Sequence, residues 1–203
     1  MSMEPTIYLV DDDSMARESL NWLMESAHLP VREFERGLDF LDQFDRSATG
    51  CVVLDVRMPD INGMELFARL KEREATIPVI IVTGHADVAM AVRAMKAGAY
   101  DFVEKPYNDA LMLECIQGAI AFDRDNRRNQ GQVDDVRDRV GRLTPREQEV
   151  MGYVLRSRPN KVIAAELGIS IKTVELHRAN LMTKMQVTSP TELVRLALIA
   201  GLE

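Results

Sequence analysis

Apolar residues in the first part of the chain gather into five short runs: Ile7-Tyr8-Leu9-Val10, Val31 to Phe34, Cys51-Val52-Val53-Leu54, Val79-Ile80-Ile81-Val82 and Tyr100-Asp101-Phe102-Val103. Each run has the length of a strand. Between them lie segments with helical spacing: Leu20, Leu23 and Met24, then Met64, Phe67 and Leu70, then Val88, Val92 and Met95. Strands alternating with helices predict a parallel sheet covered on both faces. The third and fourth runs are rich in β-branched residues and do not alternate, which places them at the centre, whereas the weaker second run suits an edge.

Leu111 to Phe122 keeps a helical pattern, and the character of the chain then changes. Positions 123–142 are strongly polar, with Val133, Val136 and Val140 as their apolar residues. This stretch is predicted to be a linker. The three- and four-residue spacing of its valines suits a partial helix with a thin apolar stripe, against which Gly131 and Gly141 weigh. Residues 143–203 show no strand pattern and four short helical ones, punctuated by Pro145, Pro159-Asn160, Gly168 and Ser189-Pro190, as in a compact all-helical module. The predicted organisation is one domain over 1–122, a linker over 123–142 and a second domain over 143–203.

Charge divides the chain in the same place. Residues 1–125 carry 12 Lys+Arg against 23 Asp+Glu, a net −11, while residues 126–203 carry 13 against 9, a net +4. The overall −7 therefore does not exclude a nucleic-acid partner for the second half. Cys51 and Cys115 are predicted to be packed core residues and not a disulfide. No apolar run is long enough to span a bilayer, and Met1-Ser2-Met3-Glu4-Pro5 has no basic stretch followed by an apolar one, so a cytoplasmic protein without a membrane partner is expected.

In a parallel α/β sheet, chemistry gathers beyond the carboxyl ends of the strands. Here the runs end in Asp11-Asp12-Asp13, Asp55, Thr83 and Glu104-Lys105-Pro106. Taken singly, a run of aspartates is often a helix cap, and a lysine before proline is often a solvated loop residue. Four polar signals at the same end of four predicted strands point instead to one pocket. Clustered carboxylates are stable together only when neutralised, which predicts a hard cation such as Mg²⁺. Beside such an ion Asp55 can attack a phosphoryl group, with the metal and a lysine stabilising the transferring oxygens.

From about Ile7 to Phe122 these residues resemble the receiver domains of two-component response regulators. That resemblance implies a CheY-like, flavodoxin-like fold: a doubly wound, five-stranded parallel sheet. It implies that Asp55 accepts phosphate, and that Asp11, Asp12, Asp55 and the backbone carbonyl of Arg57 bind Mg²⁺. Lys105 would contact the phosphoryl group, Thr83 and Phe102 would form a switch pair, and a cis-like turn is expected at Lys105-Pro106. Phosphorylation adds roughly −1.5 to −2 charges and can bias a poised element. The helix from Asp87 to Ala97 is the candidate, and its face with Val88, Ala91, Val92 and Met95 is either core or a dimer surface. The resemblance favours dimerisation through this helix and the following strand.

In the second half, Thr144-Pro145 followed by Glu147 predicts a capped helix start. Asn160 to Leu167 reads as a short helix, Gly168 as its left-handed stop, and Ile171 as the beginning of another helix, giving helix, tight turn, helix. In that last helix Val174, His177, Leu181 and Met185 share an inward face, with His177 expected to be packed and hydrogen-bonded. Lys172, Thr173, Glu175, Leu176, Ala179 and Thr183 face outward, suited to a major groove. Lys161, Lys172, Arg178, Asn180 and Lys184 are candidate phosphate contacts, with a solvated charged face as the alternative. Leu143-Thr144-Pro145-Arg146-Glu147, Lys161-Val162-Ile163-Ala164 and Thr173-Val174-Glu175-Leu176-His177, in that order, resemble the LuxR-type effector domain. With Thr83-Gly84-His85 and the stretch from Ala94 to Pro106, the whole chain resembles the LuxR/FixJ (NarL/FixJ) family. Many relatives carry a basic residue where this chain has Glu175, and a carboxylate accepts from cytosine N4 but repels phosphate.

The resemblance implies a regulator and not an enzyme: a cognate histidine kinase phosphorylates Asp55, the receiver forms a homodimer, and the helical domains bind a two-fold site on double-stranded DNA to regulate transcription, with activation the usual role. A phosphatase or phosphotransferase acting on an outside substrate is the enzymatic rival, but position 57 holds Arg57 where a second acid would protonate a leaving group. A helical domain that contacts RNA polymerase instead of DNA is the third reading.

Overall fold

The computed structural model describes residues 4–202; Met1–Met3, part of the stretch read for a leader, and Glu203 lie outside the described residues. It divides into two compact units, at Asn126/Arg127. In the first, β1 (Thr6–Val10), β2 (Val31–Phe34), β3 (Gly50–Asp55), β4 (Val79–Thr83) and β5 (Asp101–Glu104) alternate with α1 (Ser14–Ser26), α2 (Gly37–Gln43), α3 (Gly63–Glu72), α4 (Val88–Lys96) and α5 (Asp109–Gly141), whose residues from Arg127 onward fall in the second unit. The strands form one sheet in the order β2-β1-β3-β4-β5. All neighbours are parallel. The weak second run is an edge strand, and the wholly buried β3 and β4 are interior.

Each sheet face carries its own core. Val10, Val52, Leu54 and Ile81 pack with Phe40, Leu66, Phe67 and Leu70 of α2 and α3 on one side. Ile7, Leu9, Val53 and Val82 pack with Leu20 and Met24 of α1 and Met112 and Ile116 of α5 on the other. Burying both faces is what allows continuous apolar runs in place of alternation.

Helix starts near the carboxyl pole are fixed by short polar side chains. Asp13 caps α1, accepting from the N–H groups of Met15 and Ala16, and Asn62 caps α3 through Met64 N–H. No side-chain cap precedes α2. Its N-terminus is instead met by Asp60, whose Oδ2 accepts from Leu38 N–H at 2.9 Å across the fold. Behind Asp55 the packing has no slack. A Cβ on Gly63 would lie 2.1 Å from the Asp55 carbonyl oxygen, so α3 can seat there only with glycine.

The second unit holds α6 (Pro145–Leu155), α7 (Asn160–Leu167), α8 (Ile171–Met185) and α9 (Pro190–Ile199). Thr144 and Glu147 form a full capping box at the start of α6. Gly168, left-handed at φ 65°, ends α7 and turns the chain into α8. The stretch read as a linker is helical as far as Gly141, through Gly131. Within this unit Val136 is 2% exposed and joins the core with Val150, Ile163, Val174, Leu181 and Met185. Burial of that valine outweighs the helix cost of glycine, of order 1 kcal/mol.

Candidate functional site

The predicted pocket residues meet at the carboxyl ends of β1, β3, β4 and β5. Asp11, directly after β1, and Asp55, the last residue of β3, are buried, whereas Asp12 is exposed. One carboxylate oxygen from each of the three lies within 4.8 Å of the others. Between Asp11 and Asp55 stands the ammonium of Lys105, with Nζ 2.5 Å from Asp11 Oδ2 and 2.8 Å from Asp55 Oδ1. The remaining oxygens are also engaged: Asp11 Oδ1 accepts from Asp13 N–H at 3.0 Å and Asp55 Oδ2 from Arg57 N–H at 2.5 Å. Arg57 extends an exposed side chain next to the acceptor.

Burial holds the Asp11 carboxyl above the ordinary carboxylate range, even with Lys105 bound to it. For Lys105, burial works against the charged form, but the carboxylates of Asp11 and Asp55 outweigh it and raise the ammonium's pKa. The site thus concentrates negative charge against one lysine. All three carboxylates offer hard oxygen donors, the set that suits Mg²⁺.

Thr83 is wholly buried at the end of β4, its hydroxyl accepting from His85 N–H at 3.3 Å. Phe102 is half-buried and packs against the α2–α3 core. Register pairs Ile81 with Phe102 and Thr83 with Glu104, so Thr83 and Phe102 share a sheet face. The Lys105-Pro106 peptide is cis. On α4, Val88, Val92 and Met95 are 82%, 45% and 47% exposed, and Ala94 is the residue that enters the core. The open choice for that face falls on the exposed side.

On α8, Val174, Leu181 and Met185 are buried, while Lys172, Glu175, Leu176, Ala179, Asn180 and Thr183 are exposed. Lys161 is exposed near the start of α7. Thr173 is half-buried and held by Ser170, whose Oγ accepts its N–H at 3.0 Å. His177 is half-buried, but its ring makes no hydrogen bond among the described residues, which departs from the expectation of a bonded one. Two expected phosphate contacts are engaged elsewhere. Arg178 donates to Asn160 Oδ1 at 3.0 Å, and Lys184 donates to Glu147 Oε2 at 2.7 Å. Asn160 and Glu147 lie 18 and 37 positions away, so helix periodicity gave no sign of either pairing.

An acidic pocket on a doubly wound sheet, joined in one chain to a helix-turn-helix unit, defines a transcription regulator of the two-component type. Comparison with known proteins agrees. Residues 7–117 match the response regulator receiver domain, and residues 141–197 match the bacterial regulatory proteins of the luxR family. The transcriptional regulatory protein FixJ of Bradyrhizobium diazoefficiens is 45% identical over all of this chain and 98% of its own length. The response regulator protein TodT of Pseudomonas putida is 43% identical over 93% of this chain and 83% of its own length. Among solved structures, response regulator StyR superposes with a TM-score of 0.87 at 39% identity, covering 96% of this chain and 98% of that one. The chain belongs to the response regulators that combine a receiver domain with a LuxR-type DNA-binding domain. No helix among the described residues is long and apolar enough to cross a membrane.

Proposed function

We propose that this chain is a cytoplasmic phosphorelay output in which Asp55 is the phosphoacceptor and α8 the helix that reads DNA. Residues 1–122 serve as receiver, 143–203 as DNA-binding domain and 123–142 as the connection. The observation that carries the reading is the buried Asp55 at the end of an interior strand, 2.8 Å from Lys105 and clustered with Asp11 and Asp12.

Asp11, Asp12, Asp55 and the carbonyl of Arg57 would hold Mg²⁺. When bound, the ion neutralises the carboxylates and draws charge from the transferring oxygens. An Asp55 carboxylate oxygen attacks the phosphorus of a phosphohistidine on the cognate kinase. The O–P bond forms as the N–P bond breaks, and the electron pair leaves on the imidazole. Lys105 and the Thr83 hydroxyl then contact the phosphoryl oxygens while Phe102 turns inward. The exposed α4 face, with β5, supplies the homodimer surface. A dimer presents two α8 helices to a two-fold DNA site. Lys161 and Lys172 contact phosphates, and Thr173, Glu175, Leu176 and Ala179 face base edges. Arg178 and Lys184 act from behind, through Asn160 and Glu147. The outcome is regulation of transcription, in the activating sense, in concert with RNA polymerase.

The test is Asp55→Asn, with Mg²⁺ and acetyl phosphate as donor. The unsubstituted chain should gain one hydroxylamine-labile phosphoryl group and bind DNA more tightly, and the variant should do neither. Equal labelling, or equal stimulation of DNA binding, would refute the assignment.

A further inference from the structure

The last carbonyls of a helix have no partners within it. In α8 the backbone N–H of Gln186, left-handed at φ 56°, takes those of Met182 and Thr183. The carbonyl of Met185 is taken from outside, by Arg139 in the last turn of α5, whose Nη1 donates to it at 2.9 Å. Its Nη2 donates to Asp135, one turn earlier on α5, at 2.6 Å. The Arg139 side chain is only 19% exposed, and its Nε is buried without a partner among the described residues. A cation at this end is also favoured by the helix dipole.

Packing reinforces the tie. Val136 and Val140, which directly follow Asp135 and Arg139 in the chain, dock into the core that contains Met185. The next cation along, Lys184, is fastened to Glu147 of α6. The C-terminal turn of α8 is therefore held by α5 and α6 together. Base readout tolerates little looseness, because a reading side chain must be held to within about 0.5 Å of its productive geometry.

We infer that Arg139 is a positioning residue for DNA recognition, and that residues 127–141 belong to the DNA-reading unit instead of serving as a tether. The inference rests on α8 being the helix that reads DNA. Nothing leaves the guanidinium free for DNA itself: it is four-fifths buried and its two outer nitrogens are already donating.

The experiment uses the full chain and, as probe, a duplex that the unsubstituted chain recovers from a random-sequence pool. Arg139→Met, Arg139→Lys and Asp135→Asn are titrated against it at several salt concentrations, well below each variant's Tm. Arg139→Met should weaken binding about tenfold, the scale of losing a charge-assisted hydrogen bond. The salt slope should not change, since no phosphate contact is lost. Arg139→Lys should recover most of the affinity, and Asp135→Asn should show a smaller loss in the same direction. An affinity within twofold of the unsubstituted chain, whatever the Tm, overturns the inference. So does a slope reduced by about one, the mark of a direct phosphate contact. Failure of the unsubstituted chain to recover any duplex would overturn the reading of α8 beneath it.

Discussion

Replacing Lys105 with methionine keeps most of the side chain's length and removes the ammonium lodged between Asp11 and Asp55. Those two side chains are only 5% and 7% exposed. Their oxygens lie within 4.8 Å. At an effective dielectric of about 20, unit charges at that separation repel by roughly 3.5 kcal/mol. Asp11, which burial already holds above its ordinary value, would relieve part of that repulsion by taking up a proton. A carboxyl with a raised folded pKa binds a proton in the fold that the unfolded chain lacks. Its penalty is therefore complete above the raised value and vanishes as pH falls toward the ordinary carboxylate range. The variant should lose about 3 kcal/mol at pH 8 in EDTA, lowering the Tm of the first unit by about 10 °C. The loss should be smaller at pH 5. Excess Mg²⁺ should restore most of it, since a ligand at a hundred times its Kd contributes about 2.7 kcal/mol. Thermal unfolding followed by circular dichroism, at both pH values and with Mg²⁺ or EDTA, measures all three. An equal loss at pH 5 and pH 8 that Mg²⁺ does not touch would mean that Lys105 acts by packing its stem, and the electrostatic account would fail.

Two further outcomes follow from the geometry. Glu147 accepts from Lys184 and from Thr144 N–H, which hold its carboxyl below the usual glutamate range. Its contribution is thus complete above that range and is lost as pH falls through the lowered value. Glu147→Gln should cost the helical unit about 1–2 kcal/mol in urea unfolding near pH 7 and flatten its acid limb. An acid limb unchanged by the substitution would refute the pairing. Burial, followed by its bond to Asp101, pushes the Cys115 thiol up to about 12. Iodoacetamide at pH 8 should therefore alkylate the folded chain slowly and Asp101→Asn faster, as mass spectrometry would show. Identical rates would exclude a role for the carboxylate.

The sheet was legible because burial on both faces leaves unbroken apolar runs, and the pocket because each run stops at a polar residue on the same pole. Asp11, Asp55, Thr83 and Lys105 could be placed together from strand direction alone. The triple aspartate shows how neighbours divide their work: Asp11 enters the pocket, Asp12 stays exposed, and Asp13 caps α1. What pattern could not reveal were pairings across the fold. Lys184 and Arg178 look like free cations on a helix wheel, yet Glu147 and Asn160 draw them inward. Asp60 gave no signal as the support for α2, because that helix lies more than twenty positions earlier in the chain. The valines of 133–140 were visible as a thin stripe, but only the second unit's core explains why a helix persists through Gly131.

The tight seat of α3 behind Asp55 bears on how receivers of this kind can be recombined. With a glycine pressed against the acceptor's own carbonyl, the backbone at Asp55 has a wall at its back that leaves no room for a side chain at that point of α3. A chimera that brings in any other residue at Gly63 would force α3 and the Asp55 backbone apart, however well the rest of the pocket had been copied.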